Sequence, residues 1–110
     1  MNTLRNSVQL IGRLGQDPEI ISFEDGNKMA KFSLATDDSY KDKEGNKVER
    51  AQWHNIIVRG GLVKVVEEYV VKGKEIAIEG KLTNRSYDTQ EGEKRYVTEI
   101  LVNELLMLGK

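Results

Sequence analysis

The chain contains no cysteine. Disulfides and thiolate metal sites are therefore excluded, and packing or assembly must supply stability. It contains one histidine, His54. A zinc site needs more ligands than that, and a catalytic base needs a nucleophile or metal beside it that nothing local supplies. Asp37 and Asp38 are adjacent on an extended segment and point apart, a poor geometry for paired carboxylates. Neither a cofactor nor a metal is expected, and an enzyme is the weaker reading. No apolar run approaches the length of a membrane span, and "MNTLRNSVQL" lacks the apolar stretch of a signal peptide. A cytoplasmic location is the expectation. Nor is there a surplus of positive charge: 17 basic against 18 acidic residues give a net charge of −1. Net charge says nothing of how charge is distributed, so that question passes to the strand faces.

With 110 residues, 38% of them hydrophobic, one domain over 1–110 with one modest core is expected. Ten glycines against one proline favour strands joined by turns. "NSVQLIGRLG" (6–15) reads as a strand, and "IISF" (20–23) as a short extended piece before the turn "EDGN". "MAKFSLATDD" (29–38) alternates, with Ala30, Phe32 and Leu34 on one face and Lys31 and Ser33 on the other. "YKDKEGNKVE" (40–49) reads as an exposed loop, and "RAQWHNIIVRG" (50–60) as the next strand. Over 61–74 the period changes. Leu62, Val63, Val65, Val66, Tyr69 and Val70 describe a helix over 62–71 with one apolar face, and Gly73 is expected to end it. "EIAIEGKLTNRSY" (75–87) returns to period two, with Ile76, Ile78, Gly80 and Leu82 sharing a face. "DTQEGEK" is a hairpin loop, and "RYVTEILVNELLML" (95–108) a last long strand with a break near Asn103. Five strands with one helix between the third and fourth match an all-β Greek-key barrel of the OB type. The competing architecture is an open sheet under one helix.

Two strand faces carry candidate chemistry. On the fourth strand Lys81, Arg85 and Tyr87 share a face, which suits phosphates beside splayed bases. A solvated face with a stray tyrosine has the same spacing. On the third strand Trp53 shares a face with Arg59, and both groups offer flat stacking surfaces. Trp53 packed in the core is the rival reading.

"GRLGQDPEI", "FSLATDDSY", "QWHNIIVRG", "EYVVKGKEIAIEGKL" and "RYVTEILV" follow one another in that order. Together they resemble the bacterial single-stranded DNA-binding protein family, from about Val8 to Val102. The resemblance implies an OB barrel without catalytic activity that binds single-stranded DNA irrespective of sequence, in replication, recombination and repair. It also implies a homotetramer in the nucleoid-associated cytoplasm, with the strand around Val8 and Leu10 helping to pair subunits. The stacking aromatics carried over are Tyr40, Trp53 and Tyr87. Well-known members have tryptophan at all three positions. A further family aromatic falls at Arg59, where a guanidinium can stack and also meet a phosphate. Arg13, Lys81 and Arg85 complete the expected DNA-binding set. The family's flexible linker and acidic tip have no counterpart after "LLMLGK", so tip-dependent repair partners are not carried over.

Overall fold

A computed structural model describes residues 3–109. Eight strands and one helix follow a short 3-10 turn: β1 (Val8–Leu14), β2 (Glu19–Ser22), β3 (Lys28–Asp37), β4 (Tyr40–Lys41), β5 (Lys47–Val48), β6 (Ala51–Arg59), α1 (Leu62–Tyr69), β7 (Glu75–Asp88) and β8 (Lys94–Met107). Five of the strands are long, and they are the five expected from the sequence. They run β1-β7-β8-β6-β3, and β3 pairs back onto β1 through Arg13–Ala35 and Leu14–Leu34, so the sheet closes on itself. Every pairing is antiparallel except β6–β8. This closed ring settles the choice against an open sheet. Closure removes most of the unpaired edge that an open sheet would expose.

The core follows from the alternation. Ala30, Phe32 and Leu34 of β3, Ile56 and Val58 of β6, Ile76 and Ile78 of β7, and Ile100 and Val102 of β8 all point inward and are buried. Val63 and Val66 of α1 and Val70 just beyond it close one end of the barrel. Valine is a mediocre helix former, so burial of this stripe rather than propensity holds the eight-residue helix in place.

Five details differ from the expectation. Tyr69, placed on the apolar face of the helix, is 57% exposed, because the buried stripe of α1 is Val63 and Val66. The helix stops at Tyr69, because Val70 is already extended. Gly73 has φ 84°, but it sits in the α1–β7 turn, donating its N–H to the Leu14 carbonyl at 2.9 Å, rather than ending the helix. Residues 40–49 form a small hairpin, β4–β5, because Asp42 Oδ1 accepts the amides of Glu44 and Asn46 and shapes the turn. Leu82 shares the core parity yet is exposed, since the pairing of β1 with β7 ends at Val8–Gly80 and no longer covers this part of β7. The break near Asn103 is a bulge. The register steps from Glu79–Glu104 to Gly80–Val102, leaving Asn103 without a cross-strand partner.

Candidate nucleic-acid interface

The outward face of β3, β6, β8 and β7 is built from consecutive pairings. Lys31 of β3 faces Ile57 of β6, Ile57 faces Leu101 of β8, and Leu101 faces Lys81 of β7. One step along, Met29 faces Arg59. At the other end, Ala35 faces both Trp53 and Arg13. Partners in a register share a face, so Trp53, Arg59, Lys81, Lys31 and Arg13 all lie outside the barrel on one continuous surface. Two adjoining depressions follow it, with Lys31, Ile57, Arg85 and Glu99 in both linings.

Trp53 is 60% exposed, so the core reading of this residue is excluded. Its ring has a definite seat. A Cβ placed on Gly15 would stand 2.6 and 2.7 Å from the Cζ3 and Cη2 atoms of the indole. Only a residue without a side chain lets the ring lie down there. The indole is thus propped from below and open above, as a stacking platform needs to be. Gly15→Ala is expected to tilt the ring off its seat. The melting temperature should change little, while the tryptophan emission should shift and oligonucleotide affinity should fall. Unchanged emission and affinity would show that the seat has no consequence.

Tyr40 and Tyr87 are 47% and 46% exposed, on the β4–β5 hairpin and the β7–β8 ribbon. The Arg50 guanidinium lies 5.2 Å from the centroid of the Tyr40 ring. Arg50 is itself held by Asp38 Oδ2, with Nη2 at 2.8 Å and Nε at 3.1 Å, and Gln52 Nε2 donates to the same oxygen at 3.0 Å. The Gln52 hydrogen bond, followed by Arg50, holds the Asp38 carboxyl below its ordinary pKa. Asp37 is lowered likewise by the Ser39 hydroxyl and amide. Both carboxylates therefore serve the hairpin's local structure. His54 faces the interior side opposite Leu34, half-buried, with Nε2 3.1 Å from the Thr36 hydroxyl.

The cations divide into two kinds. Arg59, Lys81 and Lys31 make no ion pair or side-chain hydrogen bond among the described residues. Arg13 gives one N–H to the Gly73 carbonyl at 3.0 Å. Arg85, by contrast, is gripped by Glu99, with Nε–Oε1 at 2.9 Å and Nη2–Oε2 at 3.2 Å. Hydrogen bonding to Glu99, followed by its charge, raises the guanidinium pKa above its ordinary value. Sequence reasoning missed Lys31, although its parity with Ser33 and opposite Phe32 already placed it on the outer face. It also passed over Tyr96, the most exposed aromatic of the ribbon at 75%, which lies across from Ser86 on the side away from Tyr87.

A ring of five long strands in the order 1-2-3-5-4, with a helix between the third and fourth, defines an OB-fold domain. The face described here, over the second and third long strands, is the one on which such domains bind extended ligands. A family model described as "Single-strand binding protein family" matches residues 5–108, and the chain belongs to that family. Among curated proteins it is 47% identical over 106 residues to the single-stranded DNA-binding protein 1 of Xylella fastidiosa, covering 96% of this chain and 78% of that protein. It is 43% identical to the single-stranded DNA-binding protein 1 of Chlorobaculum tepidum, over 94% of this chain and 65% of that one. Against the Bacteroides thetaiotaomicron single-stranded DNA-binding protein, identity is 45%, over 94% of this chain and 66% of that protein. A solved Plasmodium falciparum SSB complex with single-stranded DNA superposes with a TM-score of 0.86 at 31% identity, covering 94% of this chain and 95% of that one.

Proposed function

We infer that this domain binds single-stranded DNA without sequence preference, stacking bases on Trp53, Tyr40 and Tyr87 and setting phosphates against Arg59, Lys81, Lys31 and Arg13. The observation that carries the reading is Trp53: an exposed indole seated on Gly15, on the same face as three cations that are unpaired among the described residues. Every base has a π-face, so such platforms tolerate any sequence. The near-neutral chain is no obstacle, because Arg13, Lys31, Arg59 and Lys81 share this one face. In the cell the domain coats strands exposed during replication, recombination and repair, in the cytoplasm at the nucleoid, and catalyses nothing.

It acts as a homo-oligomer, a tetramer in the reading that its family membership favours. Two features support assembly. Among the described residues, Val8–Ile11 of β1 pair with β7 on one side only, which leaves the other side for a second strand. Beside that edge Ile11, Ala77 and Leu106 form a cross-strand row, and both Ile11 and Leu106 are exposed.

Salt titration of labelled oligo-dT tests the reading. Four cations meeting phosphates give a slope of log affinity against log salt of roughly −0.7 for each, or about −3 in all. The oligonucleotide should remain intact through incubation with magnesium. A flat salt response would point to an OB scaffold that contacts proteins, and degradation would point to a nuclease.

A further inference from the structure

Glu99 is out of place on a face that receives phosphates. It is the one buried charged residue among the described residues, 6% exposed, and it stands on the outer side of β8 opposite Thr83, between Val97 and Leu101. A carboxylate there repels a phosphate backbone, and burying it carries a desolvation cost that an apolar residue would avoid. Both of its oxygens are spent on Arg85, one on Nε and one on Nη2. That is the bidentate fork geometry, which fixes a guanidinium in orientation as well as in place. Arg85 itself remains half-exposed. The fork uses two of its five N–H donors and leaves the planar face of the group uncovered by any ring or cation contact among the described residues. Two residues further along the same face, about 6.8 Å at the ordinary strand rise, stands the open ring of Tyr87.

We propose that Glu99 is a positioning residue of the DNA face, holding Arg85 as a charge-compensated flat platform on which a base stacks next to the one on Tyr87. On this assignment Arg85 is not a phosphate neutraliser, unlike Arg59 and Lys81. The groove floor takes up a base where a free cation would take up phosphate. The proposal rests on the single-strand-binding reading above and adds a division of labour within it.

Salt slopes and affinities for oligo-dT, measured on four variants with a melting curve for each, test it. Glu99→Gln releases the Arg85 charge, and the slope should steepen by roughly 0.7, one more phosphate. Arg85→Ala combined with Glu99→Gln removes the pair without leaving a lone charge. Its slope should match the wild type while affinity drops, at least about threefold for the loss of a cation–π-class contact. Arg85→Lys keeps the ion pair on an exposed side chain and so spares the fold. It should lose affinity comparably, with no change of slope, because an ammonium offers no plane. Glu99→Asp keeps the charge but withdraws the fork, and should behave as Arg85→Lys does. The proposal is overturned if Glu99→Gln leaves the slope unchanged while the double variant flattens it by roughly 0.7, the signature of an Arg85 on phosphate. It is equally overturned if Arg85→Lys binds as the wild type does. Failure of the wild type itself to bind oligo-dT would instead bring down the underlying reading, and this one with it.

Discussion

Replacing Trp53 with alanine is expected to weaken binding of single-stranded DNA by about 1–3 kcal/mol, the usual worth of one base–aromatic stack and roughly a five- to 150-fold loss of affinity. The fold should hardly notice. The indole is 60% exposed and lies against Gly15, and neither residue belongs to the core cluster. A core tryptophan would behave in the opposite way, costing about 3–5 kcal/mol of stability on truncation to alanine. Thermal melts and binding isotherms on the same preparation separate the two. A variant that melts close to wild type and binds poorly supports a platform, and one that melts far below it supports a hidden structural role. Tyr40→Ala and Tyr87→Ala should follow Trp53→Ala more mildly, because each ring is smaller and each stands on a hairpin rather than on the barrel wall.

A large loss of stability is expected from Gly80→Ala. Gly80 is buried on β7 at the step where the register against β8 shifts. An added Cβ would fall inside contact distance of the Leu101 carbonyl oxygen, 2.9 Å from the carbonyl carbon and 3.0 Å from the Val102 Cα. These are backbone atoms of a paired strand, so they cannot swing aside as a side chain could. Overpacking of this kind costs about 1–3 kcal/mol, and rigid neighbours place Gly80 at or above the upper end. For a domain of this size that corresponds to a fall in melting temperature on the order of 10–20 °C. A calorimetric scan of Gly80→Ala reads it directly. A near-native transition would mean that the close approach of β7 to β8 is not needed to shape the barrel.

How much of this was legible beforehand depends on whether the feature is local. The inward row Ala30, Phe32, Leu34 and the helix stripe through Val63 and Val66 are local patterns, and they were read correctly because burial follows period. The exposed face of Trp53 was open on parity alone. The resemblance to a known family favoured the platform, and the structure's exposed ring agrees. The β4–β5 hairpin was missed because two-residue strands of polar residues carry no alternation, and Asp42's turn-shaping hydrogen bonds leave only a weak compositional trace. The helix end was misplaced because Val70 continues the apolar period after the backbone has left the helix, and its side chain is buried all the same. Asn103 was visible as an interruption. That it is a bulge follows only from the pairing of β8 with Gly80 and Glu79.

The pairs that shape the proposed DNA face lie beyond such reasoning. Gly15 meets Trp53, and Glu99 meets Arg85, only once the strand register is known. Nothing in "TEILV" distinguishes a buried glutamate from a solvated one. The spacing of Lys81, Arg85 and Tyr87 did put the three on one face, as the pairings with Leu101, Val97 and Arg95 require. It could not separate a cation without a partner from one already paired.

The most direct measurement is the intrinsic fluorescence of the wild-type protein, whose only tryptophan is Trp53, during titration with oligo-dT. Binding is followed independently by the anisotropy of a label on the oligonucleotide. The account predicts emission that is quenched in step with the anisotropy, saturates at the same stoichiometry, and recovers as added salt releases the strand. Anisotropy that reports full binding while the tryptophan emission stays constant would contradict it, since the strand would then be held without touching the platform on which the account is built.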